Sequence, residues 1–169
     1  VFEAVLEDYR ESFKVELQSL REELKDPATI VATTLKFYFR QSRDNEMWNS
    51  FVTYSGLPGE HILHQEESQC LSDIERGIQA GRFKVTDVSF AQNLIIGMVK
   101  HVNREMSEGN LGRTAMNDTT QYILRMLGLP DLVARALAQG ARPPARASHR
   151  TGEMSTNVDP SRNILTNSG

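Results

Sequence analysis

The residues of this chain that could do chemistry are concentrated in one central segment. His61 and His64 are three positions apart, with Glu60 and Glu67 beside them. On a helix this spacing would bring two imidazoles and a carboxylate toward a single metal ion such as Zn²⁺. No fourth ligand is evident, and an exposed polar helix face explains the same residues, so we predict no metal site.

Other catalytic patterns are equally incomplete. Cys70 would need a neighbouring base to act as a nucleophile, and it lies within an apolar stripe, so we expect a buried small hydrophobe. Asp73 and Glu75 do not share a helical face and make a poor acid–base pair. The glycine-containing turn at residues 109–112 lacks the Lys-Ser/Thr that completes a phosphate loop. The sequence therefore predicts neither an enzyme nor a bound cofactor.

Composition sets the broad class of the protein. The chain has 169 residues, of which 39% are hydrophobic and 24% charged, enough for one domain with a real core. No apolar run approaches the roughly 20 residues that span a bilayer. The single cysteine cannot form an internal disulfide, which favours a cytoplasmic location. A net charge of -3 disfavours a large nucleic-acid surface on this chain.

Apolar residues recur at helical spacing as far as Gly140. The first stripe consists of Phe2, Leu6, Tyr9, Phe13, Leu17, Leu20 and Leu24. Asp26-Pro27 ends this helix and starts the next, and Gly81 and Gly128 are typical helix-ending glycines. Further helices are predicted near residues 27–44, 47–52, 60–80, 87–107, 113–127 and 130–139. Because no segment shows sustained alternation, we predict an all-α bundle of about seven helices.

Both ends of the chain differ from a self-contained helical domain. Val1 stands inside an amphipathic pattern with no capping residue ahead of it, so we expect the sequence to continue a longer protein. Residues 141–169 have no periodicity and few large apolar side chains, which predicts an irregular or disordered tail. The expected division is therefore a helical domain at 1–140 and a tail at 141–169.

Three segments carry a family resemblance. They are residues 1–7 (VFEAVLE), residues 74–83 (IERGIQAGRF) followed by Asp87, and residues 122–129 (YILRMLGL). Their order and spacing resemble the C-terminal ligand-binding and dimerisation domain of the tetracycline-repressor (TetR) family, over about residues 1–139. The DNA-binding helices of that family would precede Val1, so no DNA-contacting residue is expected in this sequence.

The resemblance implies a mechanism. Such proteins form homodimers through their last two long helices, here about residues 87–107 and 113–127. Ala91, Gly97 and Ala115 are small residues that would permit close approach of those helices. A small-molecule effector would enter a cavity among the other helices and shift the helix that begins at Val1. That shift changes the spacing of two DNA-binding heads, which are missing from this sequence.

Candidate effector-binding residues are polar or aromatic groups near apolar helix faces, because small-molecule sites are apolar cavities with a few placed polar groups. A hydrophobic or amphipathic effector would suit such a lining, although for each single residue an ordinary core role is favoured. The candidates are Tyr38, Trp48, Phe51, Tyr54, His61, Gln65, Gln92, Asn93 and Met98.

These patterns favour an effector-sensing and dimerisation domain of a TetR-like transcriptional regulator. The alternatives are a helical protein-interaction module unrelated to transcription and, less favoured, an all-helical enzyme. A basic three-helix unit of roughly 45 residues upstream of Val1 would distinguish the first interpretation from the others.

Overall fold

The computed structural model describes residues 2–44 and 59–140, and within these ranges the chain forms helices and no strand. The short helix predicted at residues 47–52 and the tail at 141–169 lie outside the described residues. The described helices are α1 (Phe2–Glu22), α2 (Pro27–Asp44), α3 (Gly59–Gln79), α4 (Val88–Ser107), α5 (Thr114–Met126) and α6 (Asp131–Gln139). The prediction of an all-α bundle is confirmed.

Two helices begin at aspartates that cap them. Asp26 accepts hydrogen bonds from the backbone N–H and the hydroxyl of Thr29, at 3.1 and 2.9 Å, and Pro27 occupies the first helical position of α2. Burial alone would raise the pKa of Asp26, but hydrogen bonds from Arg82 and Thr29 hold that pKa below its usual value. At α4, Asp87 accepts a bond from the Phe90 N–H at 2.9 Å. Both caps agree with the predicted helix starts.

Helices α3 and α5 end at glycines in the left-handed region. After α3, Gly81 has φ 71°, and the Arg82 N–H donates to the Gly77 carbonyl at 2.8 Å. After α5, Gly128 has φ 99°, and the Leu129 N–H donates to the Leu124 carbonyl at 3.1 Å. These are Schellman motifs, which satisfy the last carbonyls of each helix. Both predicted stops are thereby confirmed.

Helix α2 is the centre of the bundle, because it packs against each of the other described helices. Its Leu35 and Phe39 belong to the main core, together with Ile74 of α3, Ile95 of α4 and Ile123 of α5. Phe39 and Ile123 are completely buried. Burying side chains of this size contributes about 1.5–3 kcal/mol each.

Helix α1 packs mainly on α2, through a separate aromatic cluster. Phe13 lies 5.0 Å from Phe37 and 5.5 Å from Tyr38, measured between ring centroids, and Leu17 is buried beside them. The predicted stripe is wrong at Leu20, which is 41% exposed. One neighbouring helix covers only a narrow strip of α1, so the apolar pattern extends beyond the surface that is covered.

None of the described helices has the length and apolar character needed to cross a membrane.

Candidate functional site

A buried ion pair fastens the end of α1 to the bundle. The guanidinium of Arg21 donates to both carboxylate oxygens of Asp73 on α3, at 2.8 and 2.6 Å, and also to the Thr34 hydroxyl on α2 at 2.7 Å. The side chains of Arg21 and Asp73 are only 9% and 8% exposed. Two parallel bonds from a planar guanidinium fix distance and orientation together. One side chain of α1 is therefore tied to two other helices.

A second polar contact lies near the other end of α1. The Tyr9 hydroxyl donates to the Gln41 side-chain oxygen on α2 at 3.0 Å. Burial, with a smaller effect from Glu16, raises the pKa of Tyr9 to about 12, so the phenol keeps its proton near neutral pH. The aromatic cluster lies between these two polar contacts. Together they fix α1 against α2 both along and around the helix axis.

The main core contains polar side chains at one end of α2. Asn103 follows Ile95 and Val99 at intervals of four along α4, in a line that is otherwise apolar, and is 8% exposed. Ser42 follows Leu35 and Phe39 along α2 and is 2% exposed. The Ser42 hydroxyl donates to the Asn103 main-chain carbonyl at 3.5 Å, which is long for a hydrogen bond. Neither residue was among the predicted site residues.

The side chain of Asn103 is incompletely paired. Among the residues that the structure describes, its Oδ1 is one of two buried side-chain atoms without a hydrogen-bond partner. The other atom is Arg10 Nε, and that guanidinium still forms an ion pair with Glu7. Leaving a buried acceptor unpaired costs about 1–3 kcal/mol. The amide of Asn103 is thus the most conspicuous unsatisfied group in the described core.

Helix α5 begins beside the same end of α2. Arg43, next to Ser42 in sequence, places a guanidinium nitrogen 3.9 Å from the sulfur of Met116. Met116 is buried in the main core, as is Met106, one helical turn beyond Asn103 on α4. Methionine side chains adapt their shape to irregular surroundings. Asn103 therefore lies in a largely apolar region formed by α2, α4 and α5.

The four predicted effector-binding residues whose side chains the structure describes do not form one group. Tyr38 is half-buried in the aromatic cluster between α1 and α2, whereas Met98 is half-buried against the main core. Gln92 is half-buried on α4, and Asn93 is exposed. Trp48, Phe51 and Tyr54 lie outside the described residues. His61 and Gln65 are within α3, at positions whose side chains are likewise outside the described part.

Sequence reasoning could have found Asn103 by one signal. A polar residue at a position that continues an apolar stripe is either paired inside the protein or available to a ligand.

Elsewhere in the described ranges, no three side chains of metal-ligating type come together. Cys70, which was expected to be a buried small hydrophobe, is half-buried against the main core.

The outer face of α4 and α5 exposes large apolar side chains. Phe90 and Leu94 are 61% and 40% exposed on α4, and Tyr122 is 59% exposed on α5. Gly97 continues the α4 face at helical spacing, and a Cβ built there would meet open space. We refer to Phe90, Leu94, Gly97 and Tyr122 as the outer face. Exposed apolar patches of this kind are typical of contact surfaces.

The fold defines the chain as a regulatory domain. Residues 26–140 match the family described as "Tetracyclin repressor-like, C-terminal domain". The chain therefore belongs to the TetR-like C-terminal domain family, and the resemblance seen in its sequence is confirmed. Membership in this family indicates part of a transcriptional regulator rather than an enzyme.

Solved structures of the regulator RolR share this fold. RolR in complex with its ligand resorcinol superimposes with a TM-score of 0.67 at 24% identity, covering 84% of this chain and 71% of RolR. RolR without ligand gives a TM-score of 0.65 at 24% identity, covering 84% of this chain and 74% of RolR. No curated protein matches the sequence.

Proposed function

We propose that this chain is the effector-sensing and dimerisation domain of a TetR-like transcriptional regulator. A small molecule binds inside the bundle, and α1 passes the change to an N-terminal DNA-binding domain that acts in the cytoplasm. The observation that best supports this proposal is the Arg21–Asp73 pair, which joins α1 to α3 through a buried, geometrically defined contact. A helix held in this way moves when its partners move.

The effector region that we propose lies around α4, where it packs against α2, α3 and α5. Cys70, Met98, Val99 and Val102 are half-buried there and pack against the main core without being fully enclosed. An apolar lining with few polar groups accommodates a small hydrophobic or amphipathic molecule. The complex of RolR with resorcinol shows that this fold can hold a small aromatic compound, and we extend that class of ligand to this chain.

Binding is tested by thermal unfolding of the 169-residue chain with a collection of small aromatic compounds. A ligand that binds only the folded state raises the melting temperature by mass action. Fluorescence from Trp48, the single tryptophan, reports the same event independently. If no compound stabilises the chain and none changes its fluorescence, the sensing function is refuted, and an interaction module becomes the better account.

Dimerisation, we propose, uses the outer face of α4 and α5 within residues 87–127. Light scattering should give twice the chain mass of 19.0 kDa. Leu94→Glu should produce monomers, because it places a charge in the centre of an apolar contact. Leu132→Glu is the matched control, since Leu132 is 76% exposed on α6 and outside this face. Equal masses for the two variants would contradict the proposed interface.

The 169-residue chain alone should not bind DNA, and DNA contact is assigned to the N-terminal domain. The chain is net acidic, whereas phosphate neutralisation by basic residues supplies most non-specific affinity. Salt-sensitive duplex binding by this chain alone would contradict the assignment.

A further inference from the structure

We propose that Asn103 is an effector-binding residue, and that its amide oxygen accepts a hydrogen bond from a neutral hydroxyl or N–H group of the ligand. This inference rests on the proposed sensing function and specifies the ligand class for it. Its basis is an acceptor that is buried, unpaired and placed among apolar side chains at the end of α2.

The position of Asn103 argues against a purely structural role. Buried polar atoms are almost always paired, and each exception needs an explanation. Ile95 and Val99 precede Asn103 on the same face of α4, so an apolar residue at position 103 would continue the stripe. The amide instead gives the folded domain an acceptor that no described residue satisfies. A ligand donor would satisfy it.

Ser42 supplies a second polar group beside Asn103. Its hydroxyl reaches the Asn103 main-chain carbonyl only at 3.5 Å, so turning toward a better partner loses little. A hydroxyl group both donates and accepts. A ligand hydroxyl could therefore donate to Asn103 Oδ1 and accept from Ser42, which favours alcohols and phenols over compounds that only accept.

The surroundings favour a neutral ligand. Arg43 reaches this region at the Met116 sulfur, but it is exposed and already paired with both carboxylate oxygens of Asp44. Lys36 is the buried cation of α2, but it lies six residues from Ser42, about 9 Å along the helix, and donates to the Leu137 carbonyl. An ionised ligand at Asn103 would lose its hydration without gaining a buried counter-charge.

The test uses matched pairs of probes and two variants of the 169-residue chain. The probes are phenol, resorcinol and catechol, each compared with its fully O-methylated ether (methoxybenzene, 1,3-dimethoxybenzene and 1,2-dimethoxybenzene), which keeps the ring but has no donor. The variants are Asn103→Leu and, as control, Asn117→Leu, which replaces an exposed asparagine on α5. Affinities are measured by calorimetry and thermal shift.

The expected result has three parts. The unmodified chain binds at least one phenol more tightly than its ether, on the order of tenfold, as expected for one hydrogen bond to a buried acceptor. Asn103→Leu removes that preference and leaves ether binding unchanged, whereas Asn117→Leu changes neither. Without ligand, Asn103→Leu melts no lower than the unmodified chain, because leucine has similar size and leaves no unpaired acceptor.

Two outcomes would overturn the inference separately from the proposed function. If phenols and ethers bind equally, or if Asn103→Leu retains the preference for phenols, the sensing function stands and the role of Asn103 is refuted. Equal binding of phenols and ethers by the unmodified chain refutes the role of Asn103 even if Asn103→Leu does not fold. If none of these probes binds, the role of Asn103 is refuted, and the sensing function is decided separately by the wider collection of compounds.

Discussion

Removing one member of the Arg21–Asp73 pair should destabilise the domain far more than removing both. In Asp73→Leu, Arg21 stays buried with the Thr34 hydroxyl as its remaining side-chain acceptor. In Arg21→Met, Asp73 stays buried without its cation. Either single change leaves a charge in a place from which water is largely excluded.

The expected loss of unfolding free energy follows from the burial and the geometry of the Arg21–Asp73 pair. Breaking a buried, hydrogen-bonded ion pair costs about 3–5 kcal/mol, whereas replacing both charges with apolar residues of similar volume is often neutral. We therefore expect each single variant to lose about 3–5 kcal/mol of unfolding free energy and the double variant to lose about 1 kcal/mol or less. These losses imply a coupling energy between Arg21 and Asp73 of about 5 kcal/mol or more.

The assay is urea unfolding followed by circular dichroism, with all four proteins at one protomer concentration because assembly changes apparent stability. Arg135→Ala provides the control, since Arg135 pairs with Asp131 at 3.0 Å but both side chains are about half exposed. That change should cost less than about 1 kcal/mol. If Asp73→Leu costs no more than Arg135→Ala, or if the two single losses simply add, the pair is not the rigid link described above.

Three further changes test other parts of the fold by thermal or urea unfolding. Asp87→Ala should cost about 1 kcal/mol, because the capping bond to the Phe90 N–H is lost; an unchanged midpoint would show that the cap is dispensable. Gly128→Ala should lower the free energy of unfolding by about 1–3 kcal/mol, because φ is 99° and the new Cβ would lie 2.9 Å from the Lys84 amide nitrogen. A stabilised variant would contradict this expectation. Burial lowers the pKa of Lys36 from 10.5 to about 8. The folded state therefore releases this proton at a lower pH than the unfolded state. As the pH rises from 8 to 10.5, the unmodified chain should gain unfolding free energy relative to Lys36→Met. A constant difference across that interval would refute the pKa shift.

Helix boundaries could be predicted from the sequence because they depend on local chemistry. Asp87 caps α4 through a bond three residues away, and Gly81 and Gly128 adopt backbone conformations that other residues reach only with strain. Such signals require no knowledge of what packs against the helix. The family resemblance likewise followed from short segments in a fixed order, one of which contains Gly81.

The polar contacts of the interior could not be predicted in the same way. Arg21 and Asp73 are 52 positions apart, and many other charged residues could have paired with either. Leu20 has the right spacing for burial, but periodicity does not reveal how much of a helix its neighbours cover. Asn103 is one of several polar residues near apolar helix faces, and the sequence does not show which of them is buried without a hydrogen-bond partner.

Helix α2 takes part both in the contacts with α1 and in the contact between Ser42 and Asn103. This suggests how a ligand signal reaches α1. One face of α2 contacts α1 through Thr34, Tyr38 and Gln41, while its C-terminal end places Ser42 beside Asn103. A ligand that draws Ser42 toward itself acts on a helix that is packed against every other described helix. Packed helices move as rigid units between discrete arrangements more readily than they deform. A shift at Ser42 would therefore appear at the contacts with α1, so the response to a ligand at Asn103 should be abolished when those contacts, and not only the site, are altered.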